Sequence, residues 1–247
     1  MNKENFYYEK YGTGKKVLLI LPGWGETRNS FDFYINNLED KFTIYIFDYP
    51  GFGKSKKLKN TFTIYDYAKY FKNFLEKENI INPYIICHSF GCRIAIILIG
   101  KYRILVDRLI IIGGAGIKDR SLKRKLKIFR YKLLKKLSIF MTKKIKKKYL
   151  NKLLKKYGST DYKSLTNIER VTFSNIVNED LRKYIKFIYT PTILIWGEKD
   201  TATPLKNGKY MNKRIKNSAL ITLKKGTHFV YLEYPFYILK IINNFFI

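Results

Sequence analysis

The chain has two cysteines, two histidines, six prolines and no glutamine in 247 residues, and each scarcity removes a class of protein. Cys87 and Cys92 stand five positions apart with no partner at zinc-ligand spacing. Neither a disulfide framework nor a structural metal site is therefore expected to underlie the fold. Fifteen glycines without a period exclude a fibrous repeat. Acidic residues are scarce as well, 19 against 49 Lys and Arg, for a formal charge of +30. No 18-residue stretch lacks charge, and the longest apolar runs, such as Leu109 to Ile117, are half a bilayer span or less. No transmembrane segment is expected. Met1 to Phe6 has no apolar stretch followed by a small-residue cleavage site, so the expected location is the cytoplasm.

What is present is apolar. Hydrophobic residues make up 46% and aromatics 17% of 29.4 kDa, too much for disorder and enough for one large core with an inserted subdomain. The positive charge is concentrated. Lys118 to Lys156 holds 18 of the 49 basic residues and one acid, Asp119, or +17 over 39 residues. Abundant Lys, Asn, Ile, Tyr and Phe without Gln is the habit of an A/T-rich genome, so the segment reads first as a solvated face. Beyond that, only weak, non-specific contact with anionic surfaces is expected, and no specific nucleic acid.

Short runs rich in β-branched residues alternate with segments of helical period, a βαβ rhythm that predicts an α/β fold with a mostly parallel sheet covered on both faces. The predicted strands are Val17 to Leu21, Thr43 to Phe47, Tyr84 to Cys87, Arg108 to Ile112, Thr192 to Trp196 and Ala219 to Leu223. Helices are predicted over Ser30 to Glu39, Ile64 to Glu78, Phe90 to Lys101, Pro204 to Ile215 and Val230 to Phe245, with Pro204 in a first turn. Residues 117–188 break the rhythm: no strand is evident, and Leu122, Leu126, Phe129, Leu133, Leu137 and Phe140 recur at helical spacing. This predicts a helical lid inserted between two core segments, 1–116 and 189–247, with the apolar stripe turned to a pocket.

The chemistry starts at His88-Ser89-Phe90-Gly91, where a strand runs straight into a helix. A serine on so sharp a turn has its hydroxyl lifted above the sheet, against the amides of the helix start. Serine needs a base. His88 adjoins the serine and does not easily face its hydroxyl, which leaves His228, in Gly226-Thr227-His228 after the last predicted strand. The base needs an acid, and Trp196-Gly197-Glu198-Lys199-Asp200 brings Asp200 to the C-terminal end of a strand, with Glu198 as its rival.

Five motifs follow in order: Leu21-Pro22-Gly23-Trp24-Gly25, Asp48-Tyr49-Pro50-Gly51-Phe52-Gly53-Lys54-Ser55, His88-Ser89-Phe90-Gly91, Trp196 to Asp200, and Gly226-Thr227-His228. Together they resemble the α/β-hydrolase superfamily over essentially the whole chain, with two departures. Cys87 takes the first glycine position of G-x-S-x-G, and Pro22-Gly23 replaces the usual His-Gly of the oxyanion loop. The resemblance implies Ser89 as nucleophile, Asp200 as orienting acid, His228 as general base, and the Trp24 and Phe90 amides as oxyanion donors. It implies no cofactor and no metal. It implies a serine hydrolase acting on the ester-type carbonyl of a small acyl substrate. An acyltransferase or carbon-carbon bond hydrolase on the same triad is an alternative, as is a binding protein using the basic lid on anionic lipid or nucleic acid.

Overall fold

A computed structural model describes residues 6–138, 142, 144, 145, 148, 149, 152 and 165–246. Seven strands, β1 (Tyr7–Tyr11), β2 (Lys16–Leu21), β3 (Phe42–Asp48), β4 (Tyr84–His88), β5 (Arg108–Ile112), β6 (Thr192–Gly197) and β7 (Ser218–Leu223), form one sheet. Their order is β1-β3-β2-β4-β5-β6-β7, and β2 to β7 pair in parallel. These are the six strands the apolar runs predict. The seventh, β1, pairs antiparallel with β3 at the edge. Its Tyr-Tyr-Glu-Lys-Tyr is mostly half-buried and carries little period-two signal. It is fixed by the turn after β3 instead, where Ser55 Oγ donates to Asp48 O (2.6 Å) and accepts the Tyr7 N–H (2.7 Å).

The central strands are apolar throughout because both faces are buried. Leu19, Leu21, Ile85, Cys87, Leu109 and Ile111 face one layer, packed under α2 (Ile64–Lys77) and α3 (Phe90–Gly100). Leu18, Ile20, Ile86, Ile110 and Ile112 face the other, against α1 (Asp32–Leu38) and the last helix. Every residue of α3 is buried, so the helix that carries the elbow forms the centre of the core.

Between β5 and β6 lie α4 (Leu122–Leu137), α5 (Asn167–Asn178) and the short α6 (Arg182–Ile185), with no strand among the described residues. Much of the basic run 118–156, including Lys143, Lys146 and Lys147, lies outside those residues. The stripe on α4 departs from expectation: Leu122, Leu126, Phe129 and Leu133 are all at least half exposed, and Phe129 is 62% exposed. The helix instead half-buries Tyr131 and Leu134, about a third of a turn or more away from the stripe. α5 is the better anchored element. Thr172 Oγ1 accepts the Phe62 N–H (3.0 Å), and buried Arg93 on α3 donates to Glu179 O (3.0 Å).

After β6 come α7 (Leu205–Arg214), α8 (Val230–Glu233) and α9 (Pro235–Phe246). The single helix expected over Val230 to Phe245 is thus two. Pro235 offers no amide hydrogen and keeps Tyr234 out of the helical region, at φ −130° and ψ 52°, so the chain breaks and restarts. Pro204 likewise sits just before α7, at φ −54° and ψ 146°, rather than in its first turn.

Glu9 on β1 accepts from Lys54 Nζ (2.7 Å), Tyr7 Oη (2.8 Å) and Tyr11 Oη. The Lys54 hydrogen bond leads the effects that take its pKa from 4.5 down to about 2, against the opposing pull of burial. A folded-state value below the unfolded one adds stability above pH 4.5 that disappears as the pH falls through about 2. Glu9→Gln is therefore expected to melt below wild type at neutral pH, with the gap closing over that acid range. A gap in Tm that stays constant through the titration would contradict it.

Candidate active site

β4 ends at His88 and α3 begins at Phe90, leaving Ser89 alone to make the turn at φ 45° and ψ −106°. A non-glycine residue in that region is strained, and the surroundings hold it there. The Ser89 N–H donates to Ile112 O (3.1 Å), and Ser89 O accepts from the Ala115 N–H (3.0 Å). Gly91 is required by close approach: its N–H donates to Pro22 O at 3.0 Å, and a Cβ there would lie 2.0 Å from Leu21 O. Cys87, in place of the motif's first glycine, fits because its side chain lies in the buried layer, with Sγ 3.5 Å from Ile110 O.

Asp200 and His228 arrive from the loops after β6 and β7, and His228 Nδ1 stands 2.8 Å from Asp200 Oδ2. The other Asp200 oxygen accepts the N–H groups of Ala202 (2.9 Å) and Thr203 (2.8 Å). Burial alone would raise the Asp200 carboxyl, which is 4% exposed, but hydrogen bonding and charge from His228, with Thr203, hold it below the usual carboxylate range. An anionic Asp200 keeps the proton of His228 on Nδ1, which leaves Nε2 as an acceptor. Glu198, the rival acid, is exposed. Ser89 is half-buried at the same edge, and the hydrogen bonds found there join the imidazole to Asp200, not to the Ser89 hydroxyl. Such contacts are often long without substrate.

Trp24 follows β2, the strand beside β4, so its amide and that of Phe90 flank the point where the chain changes direction along the sheet. Among the described residues neither amide has a backbone acceptor. The Trp24 ring meets Phe52 (5.0 Å), Phe90 (5.3 Å) and Phe173 of α5 (5.3 Å) edge to face, an aromatic wall beside the elbow.

Two residues at the site, Thr203 and Glu26, escaped the sequence reading, and a third, His88, entered it only as a poor candidate for the base. Thr203 Oγ1 lies 2.8 Å from both Asp200 Oδ2 and Gly113 O, and its spacing of three from Asp200 is the signal of an Asx-type turn. Glu26, in the loop after β2, meets buried His88, with Nδ1 of the imidazole 2.7 Å from Glu26 Oε1. Nothing in the spacing of residues 26 and 88 announces that contact.

A mostly parallel sheet with a strained serine on the turn after a central strand, and a carboxylate–imidazole pair on the loops of two later strands, defines the α/β-hydrolase architecture. The family model described as alpha/beta hydrolase fold matches residues 16–137, and that described as TAP-like protein matches residues 177–246. The chain belongs to the α/β-hydrolase superfamily and is an α/β-fold hydrolase. It is similar to an uncharacterized hydrolase, YugF, of Bacillus subtilis (strain 168), 27% identical over an alignment of 263 residues that covers 98% of this chain and 94% of that one. The pimeloyl-[acyl-carrier protein] methyl ester esterase of Wigglesworthia glossinidia brevipalpis is 26% identical over 266 residues, covering 97% of each. Among solved structures, MGS-M2, an α/β-hydrolase enzyme from a Medee basin deep-sea metagenome library, shares the fold with a TM-score of 0.76 at 21% identity, over 100% of this chain and 95% of that one.

Proposed function

We propose that the protein is a serine hydrolase that cleaves an ester-type carbonyl substrate through an acyl-enzyme. The observation that carries this reading is the Asp200–His228 pair at 2.8 Å on the same sheet edge as a serine held at φ 45°. In this mechanism Ser89 Oγ attacks the carbonyl carbon as His228 Nε2 takes its proton. The tetrahedral oxyanion is met by the Trp24 and Phe90 amides, and His228 returns the proton to the departing alcohol. Water then repeats the sequence, with His228 as base, to release the acid and free Ser89. Asp200 holds the ring and stabilises the imidazolium without taking a proton.

The described part of residues 117–188 acts in this reading as a cover over the site. Support comes from α5 rather than α4: Phe173 packs on Trp24, and Thr172 and Glu179 tie the segment to Phe62 and Arg93. The aromatic wall favours an apolar acyl group, and the methyl ester named for the Wigglesworthia relative favours a small alcohol as leaving group. The test is turnover of p-nitrophenyl esters of increasing acyl length by wild type and Ser89→Ala. Hydrolysis with a defined length optimum, lost in the variant, is the expected result. Wild type inert to the whole series, or activity that persists without Ser89, would overturn the proposal.

A further inference from the structure

Glu26 and His88 belong to neither the triad nor the oxyanion donors, yet they touch the backbone of both. Glu26 Oε2 accepts the Gly23 N–H at 2.6 Å, one residue before the Trp24 amide. His88, next to Ser89 and fully buried, sets Nδ1 2.7 Å from Glu26 Oε1 and Nε2 3.0 Å from His228 O. We infer that this pair is a positioning device: it holds the oxyanion loop and the His228 backbone at fixed distances from the elbow, and so sets the alignment that turnover requires. The inference rests on the serine-hydrolase reading above.

The placement of the pair supports it. The two nitrogens of the buried His88 ring face two oxygen atoms of different segments, the Glu26 carboxylate at 2.7 Å and the His228 carbonyl at 3.0 Å. Burial would raise the Glu26 carboxyl, and the neighbouring His88, with the Gly23 amide, holds it below its usual range. Tyr231 and Phe229 lie tilted against the His88 ring at 4.8 and 5.8 Å, and the ring is fully buried. Pro22 leaves the oxyanion loop without the side chain that a histidine would offer at its start, and Glu26 supports the same loop from its far end. The two partners stand 62 positions apart in sequence, so the contact is a product of the fold.

Three substitutions separate reach from charge. Glu26→Gln keeps the reach: its oxygen accepts from Gly23, its amide donates to Nδ1, and His88 Nε2–H still donates to His228 O. Glu26→Asp keeps the charge but is one methylene too short to bridge both partners. Glu26→Ala removes both. On the best ester of the series, kcat is expected to fall about 10²- to 10³-fold in the Ala and Asp variants, the effect of losing one aligned oxyanion donor, with KM little changed. Gln should stay within about tenfold of wild type, since its hydrogen bonds are retained. Fluorophosphonate labelling of Ser89 should slow in parallel, and melting curves identify any variant that does not fold. Wild-type kcat in a folded Asp or Ala variant, a loss confined to KM, or Gln as impaired as Ala would each overturn the inference. Wild type that neither turns over esters nor labels at Ser89 would remove the serine-hydrolase reading and this inference with it. A fully active Glu26→Ala beside an inactive Ser89→Ala would remove this inference alone.

Discussion

Ser89→Ala and His228→Ala are each expected to lower kcat on a p-nitrophenyl ester by about 10⁴- to 10⁶-fold, and the double variant by little more. The reason is mutual dependence: the hydroxyl is a poor nucleophile until the imidazole takes its proton, and the imidazole has nothing to activate once the hydroxyl is gone. Residual activity would come from whatever oxyanion stabilisation and substrate binding survive. Folding should change little, because Ser89 is half-buried and its backbone hydrogen bonds to Ile112 and Ala115 do not involve the side chain. A fluorophosphonate should label wild type at Ser89 and neither variant at a comparable rate. Losses that multiply in the double variant, or labelling of Ser89→Ala, would show that the two residues do not act together.

Asp200→Asn is expected to cost about 10⁴-fold in kcat while leaving the melting temperature near that of wild type. One oxygen of the side chain is fixed by the Ala202 and Thr203 amides, so the new NH₂ falls where Oδ2 faced His228 Nδ1. Two donors cannot share that contact. The imidazole answers by moving its proton to Nε2, the atom that has to receive one from Ser89, and the base is disabled without any loss of packing. Proton NMR of the imidazole would report the change of tautomer directly. A decrease of only a few fold would mean that Asp200 is not the acid on which His228 depends.

The main lines of the fold were legible because a parallel sheet buried on both faces writes itself as short apolar runs, as in Leu18 to Leu21 and Leu109 to Ile112. β1 was not, since an edge strand of tyrosines and charges, pinned by Ser55, follows no such pattern. The break before α9 was legible in principle, because Pro235 forbids a continuous helix, but the apolar period across it is unbroken. At the site, Asp200 and His228 stand together as their positions after successive strands implied. Thr203 and Glu26 were missed for different reasons. Thr203 is a local turn residue of common type, whereas Glu26 acquires its partner only when β2 and β4 become neighbours. The α4 stripe was misjudged because a helical period fixes which residues share a face and says nothing about which body the face meets.

The order of strands along the sheet also bears on the moment at which the enzyme comes to life during synthesis. The proposed nucleophile and both proposed oxyanion amides come from the ends of β2 and β4, in the first part of the chain to leave the ribosome, whereas the proposed base follows β7, the last strand to join. A nascent chain that has formed its elbow therefore has a serine without a base. Because domains emerge and fold from the N-terminal side, chemistry begins only when the far edge of the sheet has closed. On the proposed mechanism, reactivity of Ser89 toward a fluorophosphonate doubles as a signal that the whole sheet has been assembled.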